Sequence, residues 1–374
     1  MTHVKTALIV GGGIGGMSAA ITLRNLGIQV TLIDLDPQWR VYGAGITITG
    51  PTLRAFKALG ILSEVIAHAY TGSGIQVCDV NGKPLHVVPT PVIADEDVPG
   101  SGGIMRPFLH QLLSKRTLQM GTEVRLGITV NTITHSNDAV EVTFSDGSSG
   151  RYDLLVGADG VFSRIRNLIF PAAPKPVYTG QCVWRIVAPR PSMIDRRHFF
   201  LGGPCKAGLT PVSKDQMYMF LLETTPKRGI LSENELVTEL SRLMEIYGGI
   251  LSDIRNSLGP ASQIVLRPLE GFLLPRPWQK GRCILIGDAA HPTTPQLASG
   301  AGLAVEDALV LAAELAKSST LEEALAGFMS RRYERCRLVV ENSLEIGRRE
   351  QMRAPIDAQT NLVEHSLQAL AEPI

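Results

Sequence analysis

A run of glycines directly after a short apolar strand constrains this chain more than any other feature. Residues 7–10 (Ala-Leu-Ile-Val) are followed at once by Gly11, Gly12, Gly13, Ile14, Gly15 and Gly16, and residues 17–23 then read as a helix. The spacing G-x-G-x-x-G falls on Gly11, Gly13 and Gly16. The first glycine lets the strand turn sharply, the second lets backbone approach a pyrophosphate, and the third lets helix and strand pack closely. The helix N-terminus adds free N–H groups and a positive dipole end. A second apolar strand, 29–33, ends in Asp34, about 23 positions after Gly11, near the spacing of the acid that accepts ribose hydroxyls. A strand–helix turn without a ligand is the alternative, but strand, helix and acid together favour a dinucleotide: NAD, NADP or FAD.

The 374 residues, 44% of them hydrophobic, suffice for two domains or one large domain with an insertion. A net charge of +1 gives no footprint for nucleic acid or an anionic membrane surface. The cysteines (Cys78, Cys182, Cys205, Cys283, Cys336) are scattered, without metal-ligand spacing, and read as free thiols in a reducing cytoplasm. Glycines interrupt the only stretch that could mimic a signal peptide, and no run has the length of a membrane span.

Beyond Asp34, residues 43–48 form a small-residue extended segment and 51–59 a helix closed by Gly60. Strands are expected at 75–80 and 84–88 around an Asn81-Gly82 turn, then a loop from Pro89 to Gly103. Arg106 opens a helix with Leu109, Leu112 and Leu113 at helical spacing. A buried strand runs into Ala158-Asp159-Gly160, with Ser163, Arg164 and Arg166 following. Residues 177–270 change to alternating strands interrupted by one helix at 233–247, which predicts a separate antiparallel layer. A last buried strand runs into Gly287-Asp288-Ala289-Ala290-His291-Pro292. Helix is expected at 303–316 and through most of 321–370.

Three of these stretches together resemble the single-component FAD-dependent aromatic hydroxylases, the group of the para-hydroxybenzoate, salicylate and 6-hydroxynicotinate hydroxylases. They are the glycine motif with Asp34; Asp153 to Arg166 with its Asp159-Gly160 pair; and Gly287 to Pro292 with Pro295, Gly300 and Glu306-Asp307-Ala308. Arg106 stands where the family places a flavin-contacting arginine. The resemblance spans Val4 to about Arg337, with Ser299 and Gly302 where many members carry Gln and Asn. It implies an α/β fold: a Rossmann-like FAD-binding domain of the glutathione-reductase type (1–73, 100–176 and 271–374) with a helical C-terminus. A mainly antiparallel substrate domain (74–99 and 177–270) is inserted into it.

The resemblance implies FAD bound by Gly11, Gly13, Ile14, Gly15, Gly16, Asp34, Leu35, Arg40, Thr47, Arg106, Leu126, Asp159, Gly287, Asp288, Pro295, Gly300, Ala301 and Gly302. Asp159 has an equally weighted alternative as a helix cap, and His291 reads as packed rather than as a base. NADH or NADPH would reduce the flavin, binding transiently near Arg40 and Asp159. O2 would then form a C4a-hydroperoxide that attacks an electron-rich ring. Tyr218, His198, Arg185 and Thr47 are candidates to bind the substrate or help deprotonate it, each with a plain packing role as alternative. No metal is implied. The small residues at 43–45 and 299–302 would leave room for the ring to move. A small aromatic substrate and a cytoplasmic monomer or homodimer are expected. An alkene epoxidase or reductase, or a flavin protein that holds a ligand without turnover, would share the motifs.

Overall fold

The computed structural model describes residues 4–41, 43–91, 93 and 98–374. The glycine motif sits where its spacing predicts. Strand β1 (Thr6–Val10) leads into helix α1 (Ile14–Asn25), and β2 (Gln29–Asp34) lies parallel beside β1. Glycine is obligatory at two points of the turn. Gly11 has φ +108°, and a Cβ there would lie 2.3 Å from the Ala158 carbonyl oxygen. A Cβ on Gly16 would lie 1.8 Å from the Gly11 carbonyl oxygen, so α1 can approach the strand only without one. A Cβ on Gly13 meets nothing within 4 Å among the described residues, which leaves its backbone open to a ligand.

A six-stranded sheet carries this turn, in the order Gln279–Lys280, Cys283–Leu285, Leu154–Gly157, β1, β2, Glu123–Leu126. All its neighbours run parallel except the first pair. Its four inner strands are buried on both faces, as their continuous apolar runs require. Helix Gly300–Lys317 packs against α1, and the Thr22 hydroxyl donates to the Ala308 carbonyl at 3.2 Å.

A second sheet has seven strands: Val265–Gly271, Val177–Pro189, Gln216–Thr224, Lys206–Pro211, Arg197–Phe200, Ile75–Cys78 and Pro84–Val88. All pairs are antiparallel except Arg197–Phe200 with Ile75–Cys78. One face packs on helices Glu233–Leu243 and Ile250–Asn256 through Trp184, Met219, Leu221, Leu240 and Tyr247. The other face looks toward the nucleotide-binding motifs. The helix expected at 233–247 ends at Leu243, and a second helix that the sequence reading did not include, Ile250–Asn256, follows it, with Gly249 at φ +56° between them.

The loop expected from Pro89 to Gly103 is only partly one, and residues 92 and 94–97 lie outside the described residues. Ser101–Met105 is the central strand of a three-stranded sheet between Gly45–Thr49 and Tyr70–Gly72. Its glycines mark close packing. A Cβ on Gly103 would lie 2.2 Å from the Pro211 carbonyl oxygen. The C-terminal region is two helices, Leu321–Gln351 and Ile356–Ala371, the first opened by a capping box at Thr320 and Glu323. Among the described residues no helix is long and apolar enough to cross a membrane.

Gly16→Ala is expected to lose about 1–3 kcal/mol of stability in chemical denaturation of the apoprotein, because the added methyl must displace backbone.

Candidate functional site: a cavity between the two sheets

A cavity of about 810 Å³ lies between the nucleotide motifs and the seven-stranded sheet. Each of the three sequence motifs contributes to its first wall. Gly13, Ile14 and Gly15 come from the glycine turn, Gly160 to Phe162 from the second motif, and Gly287, Asp288, Pro295, Gly300 and Ala301 from the third. The Asp288 carboxylate opens into the cavity and takes no hydrogen bond from any described residue. Its depth pushes its pKa up, and the nearby His291 and Arg106 charges oppose that rise. Helix Gly300–Lys317 begins here, so its first N–H groups and positive dipole end face the same space.

The second wall is one face of the seven-stranded sheet with Thr47 above it. Strand alternation brings Val183 and Arg185, Arg197 and Phe199, and Tyr218, Phe220 and Leu222 onto this face. The Tyr218 and Thr47 hydroxyls are 2.5 Å apart, and Thr47 also lies 3.2 Å from the Thr210 hydroxyl. Burial pushes Arg197 and Arg185 down to about 10; Arg106 and Arg267 add to the shift at Arg185, and Tyr218 opposes it at both. Among the described residues neither guanidinium has a hydrogen-bonded or carboxylate partner, and the Arg197 Nε is buried without one. Lys206, by contrast, is neutralised by Glu350 at 2.8 Å.

This arrangement matches known proteins along almost its whole length. The family described as FAD binding domain matches residues 4–343. The chain belongs to this family of FAD-dependent monooxygenases. It is 31% identical to an aurachin C monooxygenase/isomerase of Stigmatella aurantiaca, over 91% of this chain and 88% of that one. It is 30% identical to a 2-heptyl-3-hydroxy-4(1H)-quinolone synthase of Pseudomonas aeruginosa, over 94% and 91%. The crystal structure of Klebsiella pneumoniae HpxO with FAD and uric acid has the same fold: TM-score 0.82, 24% identity, 98% and 93% covered.

The residues present fit FAD. Among the described residues Gly13 leaves a cradle in which no protein atom stands, and Asp288 is an acceptor without a donor. At the far end, Asp34 accepts the Gly12 N–H at 2.6 Å and the Asp36 N–H at 2.8 Å, which pins the strand end against the glycine turn. Leu35 is exposed, Leu126 pairs with Asp34 across the sheet, and Arg40 is tied to Asp36 at 2.9 Å. These four residues lie outside the cavity, at the adenosine end implied by the resemblance.

Several expectations change. His198 is on the opposite face of its strand from the cavity. Its Nδ1 lies 2.9 Å from the Arg196 carbonyl oxygen, and its ring stacks on Phe200. Arg197 and Phe199 hold the positions that alternation denies it. Asp159 is a helix cap: its carboxylate takes the Ser163 hydroxyl and the backbone N–H groups of Arg164 and Ile165, the latter two at 2.7 and 3.0 Å. Gly302 is not among the cavity's lining residues; a Cβ there would lie 2.3 Å from the Thr52 hydroxyl oxygen, so its missing side chain serves helix packing and not room for a moving ring. A Cβ on Gly45 would lie 2.4 Å from the Tyr218 ring, so the space beside it belongs to that tyrosine. Arg197, Phe199, Phe220, Lys206 and His110 were not singled out from the sequence; the period-two pattern of the strands was the available signal for the first three.

Behind the third motif lies a buried ionic network. Asp307 accepts the Gly287 N–H at 2.8 Å, His291 Nε2–H at 2.6 Å and Arg332 Nε–H at 2.7 Å. Burial raises the Asp307 pKa, but His291 and Arg332 outweigh it and hold it at about 2. Burial opposes charge on His291, while Cys336 and Asp307 beside it raise its pKa well above the usual value. His291 is therefore a packed, charged group. The Asp307 contribution to stability is fully present above its unfolded value near 3.8 and is lost as pH falls through about 2. Asp307→Asn should remove that acid dependence and lower neutral-pH stability by roughly 3–5 kcal/mol, since His291 loses its carboxylate and Arg332 loses one of its two carboxylate partners, keeping Glu306. Thermal melts from pH 2 to 7 on both proteins check this, and parallel acid profiles would reject it.

Proposed function

We propose that the protein hydroxylates an activated aromatic ring, using NADH or NADPH and O2. The observation that carries this reading is one cavity with two unlike walls. One is built from nucleotide-binding motifs, and the other from aromatic side chains, arginines and a hydroxyl relay. Its volume suits a flavin ring and a small aromatic together. The segments 74–99 and 177–270 would form the substrate-facing layer, and the remainder the FAD-binding domain. Bound FAD, once reduced by the nicotinamide cofactor, would supply the activated oxygen.

The chain's own residues have distinct parts in this scheme. Gly11, Gly13 and Gly16 would admit the pyrophosphate, Asp34 the adenosine ribose, and Asp288 the ribityl hydroxyls. Burial pushes the Arg106 pKa down, while Tyr218 and Asp288 nearby favour its protonated form. The N–H groups of Gly300 and Ala301 would favour negative charge at the ring edge. Tyr218 would accept or return a proton at the ring hydroxyl of the substrate, with Thr47 and Thr210 as the continuation of the relay. The unpaired guanidiniums of Arg185 and Arg197 favour a substrate whose hydroxyl or ring substituent carries negative charge. The sheet and loop 292–301 would keep water from the reacting atoms.

Two measurements test the scheme. Asp288→Ala should weaken FAD binding by about 1.5–3 kcal/mol, read by fluorescence titration of the apoprotein. A screen of phenols and hydroxylated N-heteroaromatics should find compounds that accelerate NAD(P)H oxidation and gain one oxygen atom from labelled O2 by mass spectrometry. With such a substrate, Tyr218→Phe should lower kcat about a hundredfold with FAD content unchanged. NAD(P)H oxidation that yields only peroxide across the panel would overturn the hydroxylase reading.

A further inference from the structure

His110 lies on helix Arg106–Gln119, one turn beyond Arg106 and on the same helix face. Both side chains line the cavity. They face different ends of it. Arg106 feels the charges of Asp288 and Tyr218, at the flavin end. His110 feels Asp34, at the adenosine end. The glycine turn, where a pyrophosphate would lie, belongs between those two ends. The His110 ring is half-buried, and neither of its nitrogens has a hydrogen-bond partner among the described residues.

A second observation shows that the ring is held. Trp39 packs edge-on against it, centroids 5.7 Å apart and planes at 85°. The Trp39 indole N–H donates to the Gly12 carbonyl at 2.9 Å, and its ring fills the space that a Cβ on Gly12 would enter. Trp39 does this with φ +49°, a conformation that a bulky residue rarely adopts. A strained tryptophan thus couples the glycine turn to an imidazole with unused nitrogens. A histidine with only a packing role has no need to leave both nitrogens free beside a phosphate-binding turn.

We propose that His110 is an FAD ligand, donating to the adenosine-side phosphate of the pyrophosphate, and that FAD affinity increases as this imidazole is protonated. The proposal rests on FAD binding and not on the identity of the substrate. Burial depresses the pKa of the free group below its usual 6.5, with the Asp34 carboxylate opposing. A phosphate oxygen would raise it in the complex, so binding takes up a proton between the two values. Affinity should therefore climb as pH falls through the upper value and level off below the lower one. The charged groups facing the ring are Asp34 from β2 and Arg106 on its own helix.

The test is FAD titration of the apoprotein, followed by flavin fluorescence, from pH 5.5 to 8. Wild type should bind about tenfold more tightly at the acid end. His110→Gln keeps a neutral donor, so it should match wild type at pH 8 and lose the gain at low pH. Its apoprotein should melt at the wild-type temperature, because His110 has no hydrogen bond to lose. Trp39→Phe, which removes the bond to Gly12, should reduce FAD affinity at every pH. A wild-type affinity independent of pH, or a slope that survives in His110→Gln, overturns the proposal. A lower apoprotein melting temperature for His110→Gln would assign the residue to packing and overturn it as well.

Discussion

The Asp307 carboxylate is the point on which the site depends. It sits wholly buried near the start of helix Gly300–Lys317 and receives the Gly287 N–H, His291 and Arg332. One acid thereby joins a strand end, the loop after it and the long helix Leu321–Gln351. Burying so much charge is costly, and the arrangement stands because every carboxylate in it is paired. Glu306 is held by both Arg332 and Arg335. The result is that Asp288, directly after Gly287, is presented to the cavity by backbone that has little freedom to shift. Precision at the flavin end comes from ionic bonds a layer behind it.

The opposite wall is fixed by different means. Its side chains project from a sheet whose other face is pinned by helices, so their positions follow from strand register. Two glycines let aromatic rings lie flat on that wall. A Cβ on Gly208 would lie 2.3 Å from the Phe220 ring, and one on Gly45 would lie 2.4 Å from the Tyr218 ring. The walls are tied at one edge by a buried bridge. Gln296, in the loop after the third motif, donates to Gln181 at 3.1 Å and to Glu350 at 3.2 Å, and Glu350 pairs with Lys206 of the sheet. Any change in the spacing of the walls must therefore strain this bridge.

The sequence was most legible where chemistry is local. Gly11 to Gly16, Asp34, Arg106 and the strand-to-turn runs at Gly160 and Gly287 are each defined within a few residues, and Gly13, Arg106, Gly160 and Gly287 line one cavity. What the sequence hid depends on pairing across distance. Nothing in the neighbourhood of Thr47 announces Tyr218, yet the two hydroxyls meet at 2.5 Å. Strand Arg197–Phe200 shows the cost of an unknown register: histidine is the more chemically suggestive residue, but the cavity face belongs to its neighbours. The glycines at 102 and 103 misled in another way. They read as loop because glycine weakens a strand, but here they allow a central strand to be covered closely on both sides.

That last case changes how the small residues around the cavity are understood. Gly45 and Gly302 invite the idea of space reserved for a moving ring. In the structure a side chain occupies each space: the Tyr218 ring at Gly45 and the Thr52 hydroxyl at Gly302. Gly13, Gly160 and Gly300 differ from them. Among the described residues no atom lies within 4 Å of a Cβ built on Gly13 or Gly160, and Gly300 meets only the Thr293 methyl at 3.1 Å. All three line the cavity. Glycines at such a site thus divide into those that let protein pack on protein and those that keep protein out of a ligand's way. Only the second group can report on the ligand, and here it traces a path from the α1 N-terminus through the second motif to the start of helix Gly300–Lys317. Any freedom of the flavin must lie along that path, bounded by Asp288 on one side and by Tyr218, already bonded to Thr47, on the other.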